Sequence, residues 1–136
     1  MTPGYLGRSF IQRMIDYLAS ATYAVDNLTR GTMVARRVRI AGTSAERREG
    51  LLKTRVLQMD EGLWIAPCEA IHTIGMPWPI DLVFLDRQYR IKKLIQALKP
   101  WRIGVCFAAY SVLELPAGGL HQTGSEVGDV LSFRSQ

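Results

Sequence analysis

The sequence predicts a mainly β domain, a small antiparallel sandwich or barrel with minor helices. Three observations carry that prediction. Short apolar runs, about four to eight residues each, recur along the second half of the chain between Gly, Pro and Asp turns. Many short strands separated in this way fit a sandwich or barrel. The apolar fraction of 48% and charged fraction of 21% are those of a folded domain, not a disordered chain. The 136 residues suffice for one domain that buries about two-thirds of its unfolded surface.

In chain order, a helix is expected over residues 10–24. Ser9 and Gln12 have the spacing of a capping box, whose side chains answer two orphan backbone N–H groups. Phe10, Ile11, Met14, Ile15, Leu18 and Ala19 share one face, opposite Gln12, Arg13, Asp16 and Ser20. Residues 26–31 read as a break and linker, because Asp, Asn, Thr and Gly compete with helix. The expected division is therefore an N-terminal helical extension, 1–31, and a β domain, 32–136. Val34, Arg36, Val38 and Ile40 alternate with Ala35, Arg37 and Arg39, which predicts a strand with one partly wet face. Thr43 and Glu46 form a second capping box, opening a short helix that Gly50 closes.

Residues 51–59 fit no single template. Asp60-Glu61-Gly62 is expected to turn and Leu63-Trp64-Ile65 to form a short buried strand. Residues 80–85 are the clearest strand. Residues 91–98 also match a helical stripe through Ile91, Leu94, Ile95 and Leu98. A strand is preferred there because the run is short, stops at Pro100 and follows a hairpin partner. Strands at 111–115 and 130–133 complete the set.

The net charge of +5 is uneven: residues 1–60 hold ten Lys or Arg against five Asp or Glu, whereas residues 61–136 hold seven of each. The excess is mainly Arg36, Arg37, Arg39, Arg47, Arg48 and Arg55. Aromatic residues are not interleaved with these arginines, so base stacking is unsupported and nucleic acid is disfavoured as a partner. A solvated edge strand is the simpler explanation. No apolar run approaches the roughly 18 to 20 residues that span a bilayer. Arg8, Arg13 and Asp16 interrupt what would be a signal-peptide core, which points to the cytoplasm. The two cysteines, Cys68 and Cys106, are too few for a disulfide framework and read as free thiols. The N-terminal helix has too few basic residues for a membrane anchor, leaving its own domain or a second subunit as the surface it lies on.

Residues 62–86 hold the residue types that carry chemistry. Cys68 and His72 are four apart, a helical spacing, but Pro67 before and the 75–79 run after argue for a loop. Such a pair is a candidate activated thiolate or two ligands of a zinc site. The metal reading lacks a second pair, and the plain reading is a buried cysteine with a histidine that ties loop backbone. Asp81 is the sharper anomaly, a carboxylate in an otherwise apolar strand. It must face water or be paired, with Arg102, Lys99, His72 or turn N–H groups as partners. The simplest expectation is that it pins the 75–79 loop. The functional alternative is an acid or base at a pocket rim. Glu114 poses the same question less sharply. Trp64, Met76, Trp78 and Trp101 are expected either to line an aromatic pocket or to fill core. Phosphate loops, nucleophile elbows and HExxH motifs are absent from the sequence.

Several landmarks then recur in order between Met33 and Phe133: Gly50-Leu51-Leu52, Gly62-Leu63-Trp64, His72-Thr73-Ile74-Gly75-Met76, Pro79-Ile80-Asp81-Leu82-Val83-Phe84-Leu85-Asp86, Pro100-Trp101, Leu113-Glu114-Leu115-Pro116-Ala117-Gly118 and Gly128-Asp129. With these the chain resembles the DUF192 family, also called UPF0127. The resemblance implies a β-sandwich of jelly-roll type with minor helices. It implies no reaction and no cofactor. Tyr89 departs from it, standing where many relatives have a turn glycine. The residues themselves point to a binding or accessory domain that holds a small ligand, peptide or protein partner at residues 68–79 and Pro100-Trp101. Its candidate contact residues are Trp64, Cys68, His72, Met76, Trp78, Asp81, Trp101 and Glu114. Cys68, His72 and Asp81 are the candidates for an enzyme reading, and the N-terminal helix for an oligomer contact.

Overall fold

The alternating residues after Gly31 form the longest strand of the structure, a computed structural model that describes residues 9, 11–12, 22–41 and 56–136. Among the described residues nine strands follow in order: β1 (Tyr23–Asn27), β2 (Thr32–Ala41), β3 (Glu61–Ile65), β4 (Ala70–His72), β5 (Ile80–Leu85), β6 (Ile91–Leu98), β7 (Ile103–Val105), β8 (Ser111–Pro116) and β9 (Leu131–Ser135). Seven make one sheet in the order β6-β5-β8-β3-β2-β1-β9, and β4 and β7 pair as a separate ribbon. The sheet is antiparallel except between β2 and β3, which run parallel. The expectation of a wholly antiparallel sheet is corrected at that pair.

The two ends of the sheet meet. Arg90 bridges Val130, the Ile91 N–H donates to the Asp129 carbonyl at 2.8 Å, and the Leu131 N–H to that of Tyr89 at 2.9 Å. The sheet is thereby curled into a half-barrel. Asp129 clamps the junction: its carboxylate accepts from Arg30 Nε at 2.9 Å, Asn27 Nδ2 at 3.0 Å and the Glu126 N–H at 3.0 Å. The Arg30 hydrogen bond, followed by those of Asn27 and the Glu126 backbone, holds this carboxyl down at about 2.

Two apolar clusters follow from the curl. Val25, Val38, Trp64, Val83, Leu113 and Leu131 pack inside it. Ile65, Ile71, Ile80, Leu82, Phe84 and Val112 pack on the opposite face, where the ribbon lies. β5 is buried on both faces, which is why it reads as an unbroken apolar run. The helix-like spacing in β6 has a different origin. Register shifts at both ends of its pairing with β5 insert extra residues. Each shift reverses which side chain faces inward, so Leu94 packs inside and Ile95 and Leu98 outside.

Two further expectations are corrected. The segment read as helix end and linker is β1, paired to β2 on one side and β9 on the other. Asn27 does not break it, because its side chain is consumed by Asp129 and Ser125. The turn proper is at residues 28–31, with Gly31 at φ 68 and its N–H on the Asn27 carbonyl. Glu61 and Gly62 belong to β3, not to a turn. β4 and β7, three residues each, had no signal. Of the predicted N-terminal helix, the Gln12 N–H does donate to Ser9 Oγ at 3.1 Å. Its remainder up to residue 21, like the second capping box and residues 51–55, lies outside the described residues. No described helix is long and apolar enough to cross a membrane.

Gly104 lets the ribbon lie close on the sheet. A Cβ there would stand 3.0 Å from both Leu82 Cδ1 and Ile95 Cδ1. Gly104→Val is expected to lift β7 from β5 and β6 and cost about 1–3 kcal/mol, read as a lowered urea midpoint.

Candidate functional site

Thr73 ties together the loop end that the sequence singles out. It is fully buried, and its Oγ1 donates to the Lys99 carbonyl at 2.7 Å while accepting the Arg102 N–H at 2.9 Å. Its backbone N–H donates to the Arg102 carbonyl, and its carbonyl accepts the N–H groups of Met76 and Trp101. Trp101 is thereby held with φ 62, a left-handed conformation that costs a bulky residue of order 1–3 kcal/mol. Trp101 is 66% exposed, and of the residues nearby Ile103 is 66% and Ile74 43% exposed. Ile103 pairs with His72 across the ribbon, and Val105 with Ala70. Gly104 and Ile71 face inward, so these partners face outward. Phe107, beyond β7, is 82% exposed.

His72 is thus an exposed, outward-facing ribbon residue, whereas Cys68, just before β4, packs against the cluster beneath the ribbon. The Cys68 thiol donates to the Ala70 carbonyl at 3.2 Å, and its N–H to the Tyr110 carbonyl at 2.8 Å. Met76 is buried and Trp78 half-buried in the cluster beneath the ribbon, where Cys68 and Cys106 also pack. Trp64 is inside the half-barrel. Its ring stacks on Phe133 at 4.1 Å and meets Tyr23 and Tyr89 edge-on at 5.8 Å. The three tryptophans therefore occupy three different places, and no single aromatic pocket joins them.

Asp81 faces the interior of the half-barrel and is 1% exposed. Its Oδ1 accepts the Ala97 N–H at 2.7 Å and its Oδ2 the Leu120 N–H at 3.0 Å. The partners are backbone amides of a β6 bulge, where Ala97 has φ 51, and of the turn after β8. Neither the 75–79 loop, His72 nor a lysine or arginine supplies them, which corrects the expected pinning of that loop. The physical reason is register: Asp81 lies opposite Leu115 on β8, and its side chain takes the inward face.

Glu114 takes the other face. Its cross-strand neighbours are Leu63 and Leu82. Oε2 is buried without a hydrogen-bond partner. Burial pushes this carboxyl up from the usual 4.5 to about 8. On the same face of β2 and β3, Arg39 and Glu61 form a buried pair at 3.7 Å. Arg37 is tied to Asp60 at 3.1 Å. Arg36 is exposed, and Arg47, Arg48 and Arg55 lie outside the described residues. Thr73, Ile103 and Phe107 were missed by sequence reasoning. Thr73 sits within the quoted His72–Met76 landmark, which was its one signal.

Two outcomes are expected. Asp81→Asn turns an amide toward one of two backbone N–H groups and should cost about 2–3 kcal/mol in chemical denaturation. For Glu114 the folded chain retains a proton that the unfolded chain releases near pH 4.5. The Glu114 contribution to stability should be constant below that pH, decline as pH rises toward about 8, and level off above. The decline is at most about 5 kcal/mol. Denaturation midpoints across pH 4–9 measure it, and Glu114→Gln should flatten the profile.

Known proteins resemble the chain in sequence and fold. The DUF192 family, described as an uncharacterized ACR, matches residues 25–133. A UPF0127 protein of Thermococcus sibiricus (strain DSM 12597 / MM 739) is 32% identical over 113 residues, spanning 79% of this chain and 72% of the relative. A crystal structure of a protein of unknown function from Novosphingobium aromaticivorans DSM 12444 superposes with a TM-score of 0.69 at 21% identity, covering 82% of this chain and 83% of that one. A second, from Sinorhizobium meliloti 1021 and carrying the provisional label of a transcription regulator, gives 0.71 at 22% identity, covering 83% and 92%. At those identities the solved structures speak to the fold alone. The family match, which begins inside β1 and ends inside β9, spans the whole half-barrel, and the chain belongs to the DUF192 family.

Proposed function

We propose that the chain is a binding or accessory domain, and that its contact surface is the outer face of the β4–β7 ribbon with the Pro100-Trp101 corner. A small ligand, a peptide or a protein partner would be held there. The observation that carries this reading is Trp101. This large aromatic residue is kept 66% exposed by a backbone conformation that costs energy, and its N–H is held by the carbonyl of buried Thr73. Ile103 and Ile74 extend the apolar area around it. Rigid presentation of this kind lowers the ordering cost of binding.

The enzyme reading has less support. Both Asp81 oxygens are engaged by backbone amides, and His72 faces outward from the ribbon while Cys68 packs against the cluster beneath it. Glu114 has the raised proton affinity of a general acid, but its neighbours across the sheet are aliphatic. In NMR titrations with a mixture of planar and apolar fragments, the Trp101 indole N–H and the Ile74 and Ile103 methyl signals should shift, while those of Trp64 stay fixed. Shifts confined to other regions, or none at all, would overturn the proposal.

A further inference from the structure

The balanced count of seven basic and seven acidic residues in 61–136 conceals a segregation. Six of the seven basic residues lie between Arg87 and Arg102, and no Asp or Glu occurs from Arg87 through Leu113. The same stretch contains Tyr89, Trp101, Phe107 and Tyr110, so cations and rings are interleaved here as they are not on β2.

The structure brings part of this stretch to the ribbon: β6, an edge strand of the main sheet, meets β7 through Lys93, Ile95 and Leu98, while Arg90 lies at the seam with β9. Lys99, Trp101 and Arg102 surround Thr73 at one end. Lys93 Nζ donates to the Val105 carbonyl at 2.8 Å midway. At the far end Arg87 lies 4.2 Å over the Tyr110 ring, beside a shallow hollow of about 330 Å³. Arg102 and Arg90 likewise donate to carbonyls, those of Trp101 and Gly128. These four cations are thus oriented by neutral groups. Among the described residues the ion pairs involve Arg30, Arg37, Arg39 and Arg134, and none of the six. Glu69, opposite Cys106, is the carboxylate on the ribbon, and Asp86 lines the hollow beside Arg87, its Oδ1 accepting the N–H groups of Gln88 and Arg90.

Uncancelled positive charge calls for an anion. The rings narrow the choice. Trp101 and Phe107 stand 66% and 82% exposed, at opposite ends of β7 and about 20 Å apart along the chain. An acidic peptide would answer the charge, yet its anchoring side chains need pockets, and the described face offers flat rings with one shallow hollow. Bases joined by phosphates supply planar faces and negative charge in one polymer.

We infer that the ribbon face binds single-stranded nucleic acid through base stacking on Trp101 and Phe107 and phosphate contacts from Lys93, Lys99 and Arg102. The inference rests on the ribbon being the binding surface and names its ligand. A fluorescein-labelled single strand of about 20 mixed-sequence nucleotides, followed by anisotropy, tests it. Three to four phosphate contacts give a log–log salt slope of about −2 to −3, hence roughly 20- to 50-fold weaker binding at 200 mM than at 50 mM salt. The Lys99→Ala/Arg102→Ala variant should flatten the slope by about 1.4. Trp101→Ala should weaken binding about 5- to 100-fold at either salt and leave the slope unchanged, because stacking carries no counterion release. Thermal melts establish that each variant is folded.

No anisotropy change at 50 mM salt would overturn the inference. So would binding that ignores Trp101→Ala and is competed equally by polyglutamate, or binding lost with Arg36→Ala/Arg37→Ala instead. If the oligonucleotide fails while fragments still shift Trp101, the nucleic-acid inference falls and the binding surface stands. If neither registers there, both fall.

Discussion

Two backbone amides converging on one buried carboxylate hold this fold in register. Asp81 sits in a strand buried on both faces, and its oxygens reach outward in sequence to Ala97 and Leu120. A carboxylate sealed from water costs several kcal/mol unless its lone pairs are answered. The answering amides must therefore be brought to it. One comes from a bulge in β6 that needs a left-handed residue, the other from the turn after β8. The bulge in turn sets where β6 ends, and so where Lys99, Pro100 and Trp101 leave the sheet. Burial of one charge thus governs the position of the corner that displays Trp101.

The sheet treats Asp81 and Glu114 in opposite ways. Asp81, on the concave side, has both oxygens answered by backbone amides. Glu114, on the ribbon side among Leu63, Leu82 and Val112, is spared the cost of charge by keeping its proton. Arg39 and Glu61 show a third solution on the same face, a pair that neutralises itself. The concave side gains its cohesion from area: Trp64, Phe133, Tyr23 and Tyr89 pack ring against ring. The Trp64 N–H has no acceptor there. The ribbon side gains it from close approach, which Gly104 permits.

Much of the sheet was legible in the sequence because β5, β6 and β8 carry dense local signals. β1 was not, since Asp26 and Asn27 look like a break until Asn27 meets Asp129, 102 residues away. The ribbon strands are too short for periodicity to register, and a parallel pairing leaves no local trace. At the candidate site, Asp81 announced that it must be paired, but nothing in the chain announces a bulge amide as its partner. Trp64, Trp78 and Trp101 were grouped by residue type, whereas facing is decided by strand parity, which a single bulge reverses. Thr73 carried no anomaly of its own. The charged face was hidden by a balanced total, which is a statement about sums and not about places.

The pairing of β1 with β9 has a consequence for biosynthesis. β1 gains its β2 partner almost at once through the short turn at residues 28–31. Its other ladder waits for β9, whose Arg134 meets Asp26 from 108 residues further on. Phe133, which covers Trp64, arrives with the same strand. Until the ribosome has released that stretch, the concave core lies open and β1 offers an unpaired edge. The nascent chain is then most exposed to chaperones and to mispairing with its neighbours on the same message.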